Sequence, residues 1–309
     1  MCSSDLNVNN KAITLNSTNV FTGTVSFTTR GTTGNVTLDN GTTALNLGAS
    51  TILGSLTVTA GEVITDSGVL TVTGVSSFTT DVNNKVITLD QANVFTGAVS
   101  FTTQGGSGNV TVVDASGLAL GTSTIAGTLT ATATTGDITQ VGALTVTGAS
   151  STFTIGTGGT NIILDQNNAF TNQVTLASGT TFGNITFVDT GGVKLDTDAN
   201  AAGDLFIDGG TDGAVAGNLS ITATTGAITQ AVVLAVGGTA SFTTSANNQV
   251  ITLGQTTNAF TGAVSFTTAR SEEHTSELQS QAYLVCRPLP EKKNHPHHPP
   301  PLQMLSHTD

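Results

Sequence analysis

Residues 93–103 read NVFTGAVSFTT, and the same phrase returns as NVFTGTVSFTT at 19–29, as the degraded NAFTNQVTLAS at 168–178, and as NAFTGAVSFTT at 258–268. A phrase of the type NNxxITL precedes three of these copies, from Asn9, Asn83 and Asn247, while TNIILDQ from Thr160 stands before the other. The copies begin at Asn19, Asn93, Asn168 and Asn258, so the steps are 74, 75 and 90 residues. Self-similarity at a fixed period is the signature of a chain that grows in one dimension, each unit burying its apolar face against its neighbours. The repeat overrides the two-domain prior that a length of 309 residues would suggest.

The composition agrees with the repeat. Charged residues make up only 9% of the chain, Trp is absent, and 13 Phe supply nearly all the aromatic surface. Thr and Val are β-branched and suit pleated backbone, while Gly and Asn supply the conformations needed at corners. Short apolar/polar alternations fill the first period: 12–15, 25–28, 35–38, 44–47, 55–58, 62–65, 70–72 and 76–79, separated by Gly, Asn or Thr-Gly. Paired in order, they give four coils per period of about 18 residues, roughly fourteen coils, and about 65 Å of stacked strands at the usual inter-strand spacing. Val25 and Phe27, or Leu56 and Val58, point inward, with the intervening Thr and Ser outward. Phe27, Phe101 and Phe266 are expected to stack in the interior. The third period carries about fifteen extra residues, placed in the acidic stretch 193–213.

The phrases TATTGxITQ, GALTVTG and FTGAVSFTT, in an acidic Thr/Gly/Asn-rich array without Cys, resemble the repeat region of bacterial surface adhesins of the filamentous-haemagglutinin and autotransporter type. The resemblance covers 7–269. It implies an all-β fold, a right-handed parallel β-helix (β-solenoid), and a secreted or cell-surface bacterial protein whose repeats form a structural stalk. Partners are then host or neighbouring-cell receptors, contacted through regions outside this fragment or through exposed loops.

Both ends depart from the composition of the array. Every Pro, every His, the single Tyr, both Cys and both Met lie outside 7–269. RSEEHTSELQS at 270–280 coincides, in all its codons, with an in-frame translation of a short-read sequencing adapter, and residues 1–6 match the reverse complement. Residues 1–6 are therefore expected to be an adapter scar, 7–269 the repeat array, and 270–309 an adapter-derived tail rather than a domain, with the array an internal fragment of a longer gene. The competing reading of the tail is a short capped helix followed by a His-rich metal tract.

Within 7–269 there are four bases against fourteen acids, a net charge of −10, which disfavours nucleic acid and anionic membrane as partners. No apolar run reaches the length of a membrane span. The acidic stretch holds Asp196, Asp198, Asn200, Asp204, Asp208 and Asp212. Asp196, Asp198 and Asn200 have the D-x-D-x-N opening of a calcium loop, but Ala201 replaces the turn Gly and Ile207 the bidentate Glu. They are weak metal candidates, and the expectation is no bound metal and no cofactor. A calcium- or glycan-binding solenoid using 193–213 is the rival reading. A glycosidase needs two converging carboxylates, and the array has one Glu and no His. Asp66 and Asp137 are read as one repeat position, a turn former rather than a catalyst. The T-x-T strings at 57–59, 71–73, 130–132 and 145–147 have unequal spacing, which argues against flat Thr ranks of the ice-binding kind. No catalytic residue is assigned, and the chain is not expected to be an enzyme.

Overall fold

The computed structural model describes residues 8–269 apart from 159, 199 and 200. Segments 1–6 and 270–309, and Asn200 of the acidic stretch, lie outside the described residues. The described residues contain no helix; they form parallel strands stacked as a β-solenoid.

Two large sheets face each other across one core. The first passes through twelve rungs, from Ile13–Leu15 through Val36–Asp39, Leu56–Ala60, Ser76–Asn83 and Val99–Gln104 to Ala240–Asn247 and Val264–Ala269. The second holds Leu45–Leu47, Ile64–Asp66, Ile87–Phe95, Val110–Asp114, Leu129–Ala133 and their successors. The chain passes from one sheet to the other in every turn, with further short strands such as Ser50–Ile52, Leu70–Val72 and Ser123–Ile125 between, and Ala214–Val215, Ala235–Val236 and Ala259–Phe260 form a third, small sheet. Ile13 pairs with Val36, Val36 with Leu56, Leu56 with Ser76 and Ser76 with Val99, giving turns of 23, 20, 20 and 23 residues. The fourteen coils of about 18 residues expected from the sequence are thus corrected to twelve rungs on longer turns. The corners use more residues than alternation reveals, and Ser50–Ile52 forms a strand that the alternation missed.

The repeat and the turn are out of step by half a turn. Ile13 lies in the first sheet, Ile87 in the second beside Ile64 and Val110, Ile162 in the first again beside Ile138 and Ile185, and Ile251 bridges Ile228 in the second. Four rungs of the first sheet precede Ile87, so one repeat spans three and a half turns and each copy is presented on the opposite face from the last.

Inside, strict alternation buries Leu56, Val58, Ile64, Leu70, Val72, Phe78, Leu89 and Val112 to 1% exposure or less. Removing such surface from water is the main favourable term in folding. Phe27, Phe101 and Phe266 do not stack on one another, because equivalent residues lie more than three turns apart. Phe101 stacks instead on Phe78 of the preceding rung, centroids 6.0 Å apart, and Phe266 on Phe242 at 5.8 Å. Phe95 and Phe170 close these columns edge-on against Phe78 and Phe153. Phe266, on the last described rung, is 58% exposed.

At one corner successive backbones approach so closely that only Gly fits. The Gly148 amide donates to the Gly127 carbonyl at 3.1 Å, and a Cβ on Gly148 would stand 2.0 Å from the Gly127 carbonyl carbon. Gly74 meets Gly54 in the same way, with 2.6 Å left.

Two substitutions test this packing. Phe78→Ala is expected to destabilise the array by about 3–5 kcal/mol through lost burial and a residual cavity, whereas Val75→Ala, at a residue 59% exposed, changes it by less than about 0.5 kcal/mol. Gly148→Ala is expected to cost about 2 kcal/mol or more, because backbone must move. Urea unfolding followed by far-UV circular dichroism measures all three.

Candidate functional site

Two groups of polar residues could carry chemistry: those buried around the FTG box, and those of the acidic insertion. In the first group the Asn that opens the box is fully buried at 93 and 168 and half-buried at 258, whereas the half-buried Asn19 donates Nδ2 to the Leu15, Ser17 and Asp39 carbonyls. Asn93 is fully buried; its Oδ1 accepts the Leu70 amide at 2.8 Å and its Nδ2 donates to Asp66 Oδ2 at 2.7 Å. Asn168 accepts the Leu144 amide at 2.9 Å and exchanges amide hydrogen bonds with Gln140. Asn258 repeats this with Leu234 and Gln230. The Phe two residues on donates its amide upward, Phe21 to Asn40, Phe95 to Asp114 and Phe170 to Asp189. The boxes at 93 and 168 are therefore tied to the rung below by the Asn and to the rung above by the Phe amide, while the box at 19 is tied to the rung above and the box at 258 to the rung below.

These contacts correct one sequence reading. Asp66 is equivalent to Gln140 and Gln230, ending the Ile64–Asp66, Ile138–Gln140 and Ile228–Gln230 strands, and not to Asp137. Asp137 begins a corner ladder instead. Its Oδ1 accepts the Asn161 amide at 2.9 Å, Asn161 Oδ1 accepts the Asn184 amide at 2.8 Å, Asn184 Oδ1 accepts Asn218 at 2.9 Å, and Asn218 Oδ1 accepts Thr239 at 2.8 Å. Burial pushes Asp137 up, but the Asn161 side chain and the Thr160 and Asn161 amides outweigh it and hold the carboxyl below its usual value. For Asp66, Asp114 and Asp189 burial wins over their hydrogen bonds and raises each carboxyl above the usual range.

The acidic insertion is built differently. Val193–Asp196 is followed by a turn and by Asp204–Asp208, which slots between Val193–Asp196 and the earlier Gln173–Ser178 in the second sheet. A later strand is thereby wedged beneath an earlier one, and Ile185 pairs with Leu219, a turn of 34 residues. Gly203, Gly210 and Gly213 make the turns, at φ of 81°, 70° and 71°. Of the metal candidates, Asp196 pairs through Oδ2 with Lys194 Nζ and accepts the Thr197 amide, while Asp198 is exposed. Lys194 Nζ also lies 3.3 Å from Asp204 Oδ1, and Asp204 Oδ2 accepts the Ala201 amide at 2.7 Å. Sequence reasoning missed Lys194, whose i, i+2 spacing to Asp196 places both on one side of the strand. The Lys194 ammonium holds the Asp196 carboxyl below its usual value, and Lys194 is itself raised, chiefly by the Asp196 hydrogen bond. Among the described residues no three His, Cys, Asp or Glu side chains group to hold a metal ion. Beside the insertion, an open cavity of about 400 Å³ is lined by Phe170, Asp189, Gly192, Lys194, Gly203 and Thr229.

The Thr ranks also differ from their sequence spacing. Thr57 and Thr59 stand in register with Ser77 and Thr79, and Thr130 and Thr132 with Thr152 and Thr154. Along the second sheet Thr65, Thr88, Thr111, Thr130, Thr152 and Thr175 form one unbroken column. Turns of unequal length keep the rungs aligned because the corners absorb the difference.

A family described as repeats of unknown function (DUF5649) matches this chain over 33–102, 107–177 and 183–267. The chain belongs to this family. Each DUF5649 repeat opens at or one residue before a GNVT or GNIT phrase and closes in the next VSFTT, VTLAS or VSFTT strand, and the third absorbs the inserted strand. No curated protein and no solved structure matches the chain.

Asp66→Gln tests the buried polar box. A carboxylate raised by burial costs the fold stability once ionised, so that cost is present at neutral pH and vanishes as pH falls toward the ordinary value of 3.8. The variant, which installs the residue found at 140 and 230, is expected to have a higher urea midpoint than the parent at pH 7 and no advantage near pH 4.

Proposed function

We propose that this chain is a non-catalytic structural spacer, a stalk segment of a secreted or cell-surface bacterial adhesin-like protein. The observation that carries this reading is the use made of the buried polar residues. Asn93, Asn168 and Asn258, with Asn40, Asp114 and Asp189 above the Phe amides, bond one rung to the next. Groups that could bind or react are consumed in joining turns, the arrangement expected of a load-bearing array. Receptor contact then falls to regions outside the array or to the loop at 193–213. The acidic surface fits a partner other than nucleic acid or anionic lipid. The terminal segments 1–6 and 270–309 are read as adapter-encoded, which resequencing of the source DNA across residues 6/7 and 269/270 decides.

The cavity beside the insertion favours a second reading, a ligand-binding solenoid. Thermal melting with 1 mM calcium against a chelator separates the two for calcium. The spacer reading expects coincident melts; a site filled at 100 times its dissociation constant would add about 2.7 kcal/mol of stability. Antibodies to the folded array should label intact, unpermeabilised producing cells, and labelling only after permeabilisation overturns the surface location.

A further inference from the structure

The outward side chains of the second sheet form ranks that the spacer reading leaves without a role. Beside the unbroken Thr column runs a second one, two residues further along each strand: Val113, Thr132, Thr154 and Ala177 are partners on successive rungs. Over these four rungs, Val110–Asp114, Leu129–Ala133, Ser150–Ile155 and Gln173–Ser178, the pairing runs without a bulge. The unequal sequence spacing that argued against flat Thr ranks is absorbed by the corners here. Thr130 and Thr132 lie directly against Thr152 and Thr154.

We propose that this four-rung face, centred on Thr130, Thr132, Thr152 and Thr154, is an ice-binding surface. Spacing supports it first. Parallel rungs repeat every 4.8 Å or so, about 4.8 Å being the inter-strand distance, and residues two apart on one strand stand about 6.6 Å apart. Both are near the oxygen repeats of hexagonal ice, along its a and c axes. Ranks in register therefore offer hydroxyls and methyls to successive water positions of one crystal plane.

Availability supports it next. The side chains of Thr111, Thr130, Thr132, Thr152, Thr154 and Thr175 are exposed or half-buried. Among the described residues their hydroxyls make no hydrogen bond to protein, so each is left to water. Exchanging one water partner for another gains little per hydroxyl. Adsorption to a crystal thus depends on many hydroxyls meeting the lattice together, which an aligned rank allows and scattered Thr does not.

Charge supports it last. The one acid on these four rungs, Asp114, is turned inward and fully buried. A charge on the outer face would hold a hydration shell that the ice lattice cannot contain. The outward acids stand at the two ends of the patch: Asp90 follows Leu89 on the preceding rung, and Asp208 pairs with Ala177 on the next. The inserted strand Asp204–Asp208 ends the patch, with Phe206 set against Thr175 where another Thr would extend the rank.

The test is to grow an ice hemisphere slowly from a solution of the folded full chain and to compare protein in the ice with protein in the remaining liquid, using serum albumin as the excluded control. The expected result is enrichment of the chain in ice over albumin. Combining Thr130→Tyr with Thr152→Tyr, whose rings lift the face off the lattice, should reduce uptake to the albumin level. Val141→Tyr, at a residue 66% exposed just after the Ile138–Gln140 strand of the first sheet, should be taken up like the parent. Circular dichroism establishes that each variant is folded. Should the double Tyr variant unfold, Thr130→Ser with Thr152→Ser, which keeps the hydroxyls and deletes only the methyls, decides the question by reduced uptake. A parent chain excluded from ice as albumin is, or folded rank variants taken up as well as the parent, overturns the proposal.

Discussion

Backbone hydrogen bonding between successive turns is the constraint from which the rest of this structure follows. A lone turn has no partner for its N–H and C=O groups and no way to bury one apolar row, so each rung exists only by pairing with its neighbours. Straight strands satisfy this through the parallel ladder. Corners continue it only in part, through backbone bonds such as Gly148 to Gly127, and there the side chains of Asn and Asp supply further partners. Asn93 and Asn168 accept amides of the rung below from inside the core, while Asn35, Asn109 and Asn218 accept amides of the rung above from outside. The chain is rich in Asn, Gly and Thr because it has many corners.

Satisfying corners this way has an electrostatic cost where Asp stands in place of Asn or Gln. Asp66, Asp114 and Asp189 are buried, and burial raises all three despite their hydrogen bonds. Gln140 and Gln230 fill the Asp66 position without that cost. The inserted strand Asp204–Asp208 solves a related problem with charge: Lys194 lies against Asp196 and the buried Asp204, so a cation supplied by the chain itself neutralises the carboxylates that the wedge brings together.

The fold was legible in the sequence because alternation of period two, interrupted by Gly and Asn, has few other solutions. The strands at Leu70–Val72 and Ser76–Asn83 begin where the alternation places them. The number of turns was not legible, since Val25–Thr28 and Ser50–Ile52 look alike in sequence although only the second forms a regular strand. Nor was the half-turn offset, which depends on how many residues the corners consume. Phe101 meets Phe78, its register partner one rung earlier, whereas its repeat equivalent Phe27 lies more than three turns away. In the acidic insertion the spacing of Asp196, Asp198 and Asn200 suggested a cation loop, and the contact of Lys194 with Asp204 emerges only when Asp204–Asp208 is folded against Val193–Asp196. The Asx ladder from Asp137 to Asn218 was hidden for the same reason, its members being 23 to 34 residues apart.

Alternation of repeat copies between the two faces is the central structural claim, and pairwise distances from spin labels test it most directly. Thr37 and Thr57 are neighbours in the first sheet, and Thr88 and Thr111 neighbours in the second, whereas Thr37 and its repeat equivalent Thr111 belong to opposite sheets. Labels at 37/57 and at 88/111 should each show the strong dipolar broadening of adjacent rungs, about 5 Å apart at the backbone, while 37/111 shows a single longer distance across the core. If 37/111 instead lie along one face, at a spacing set by a whole number of turns, the half-turn offset is wrong and the strand order must be redrawn.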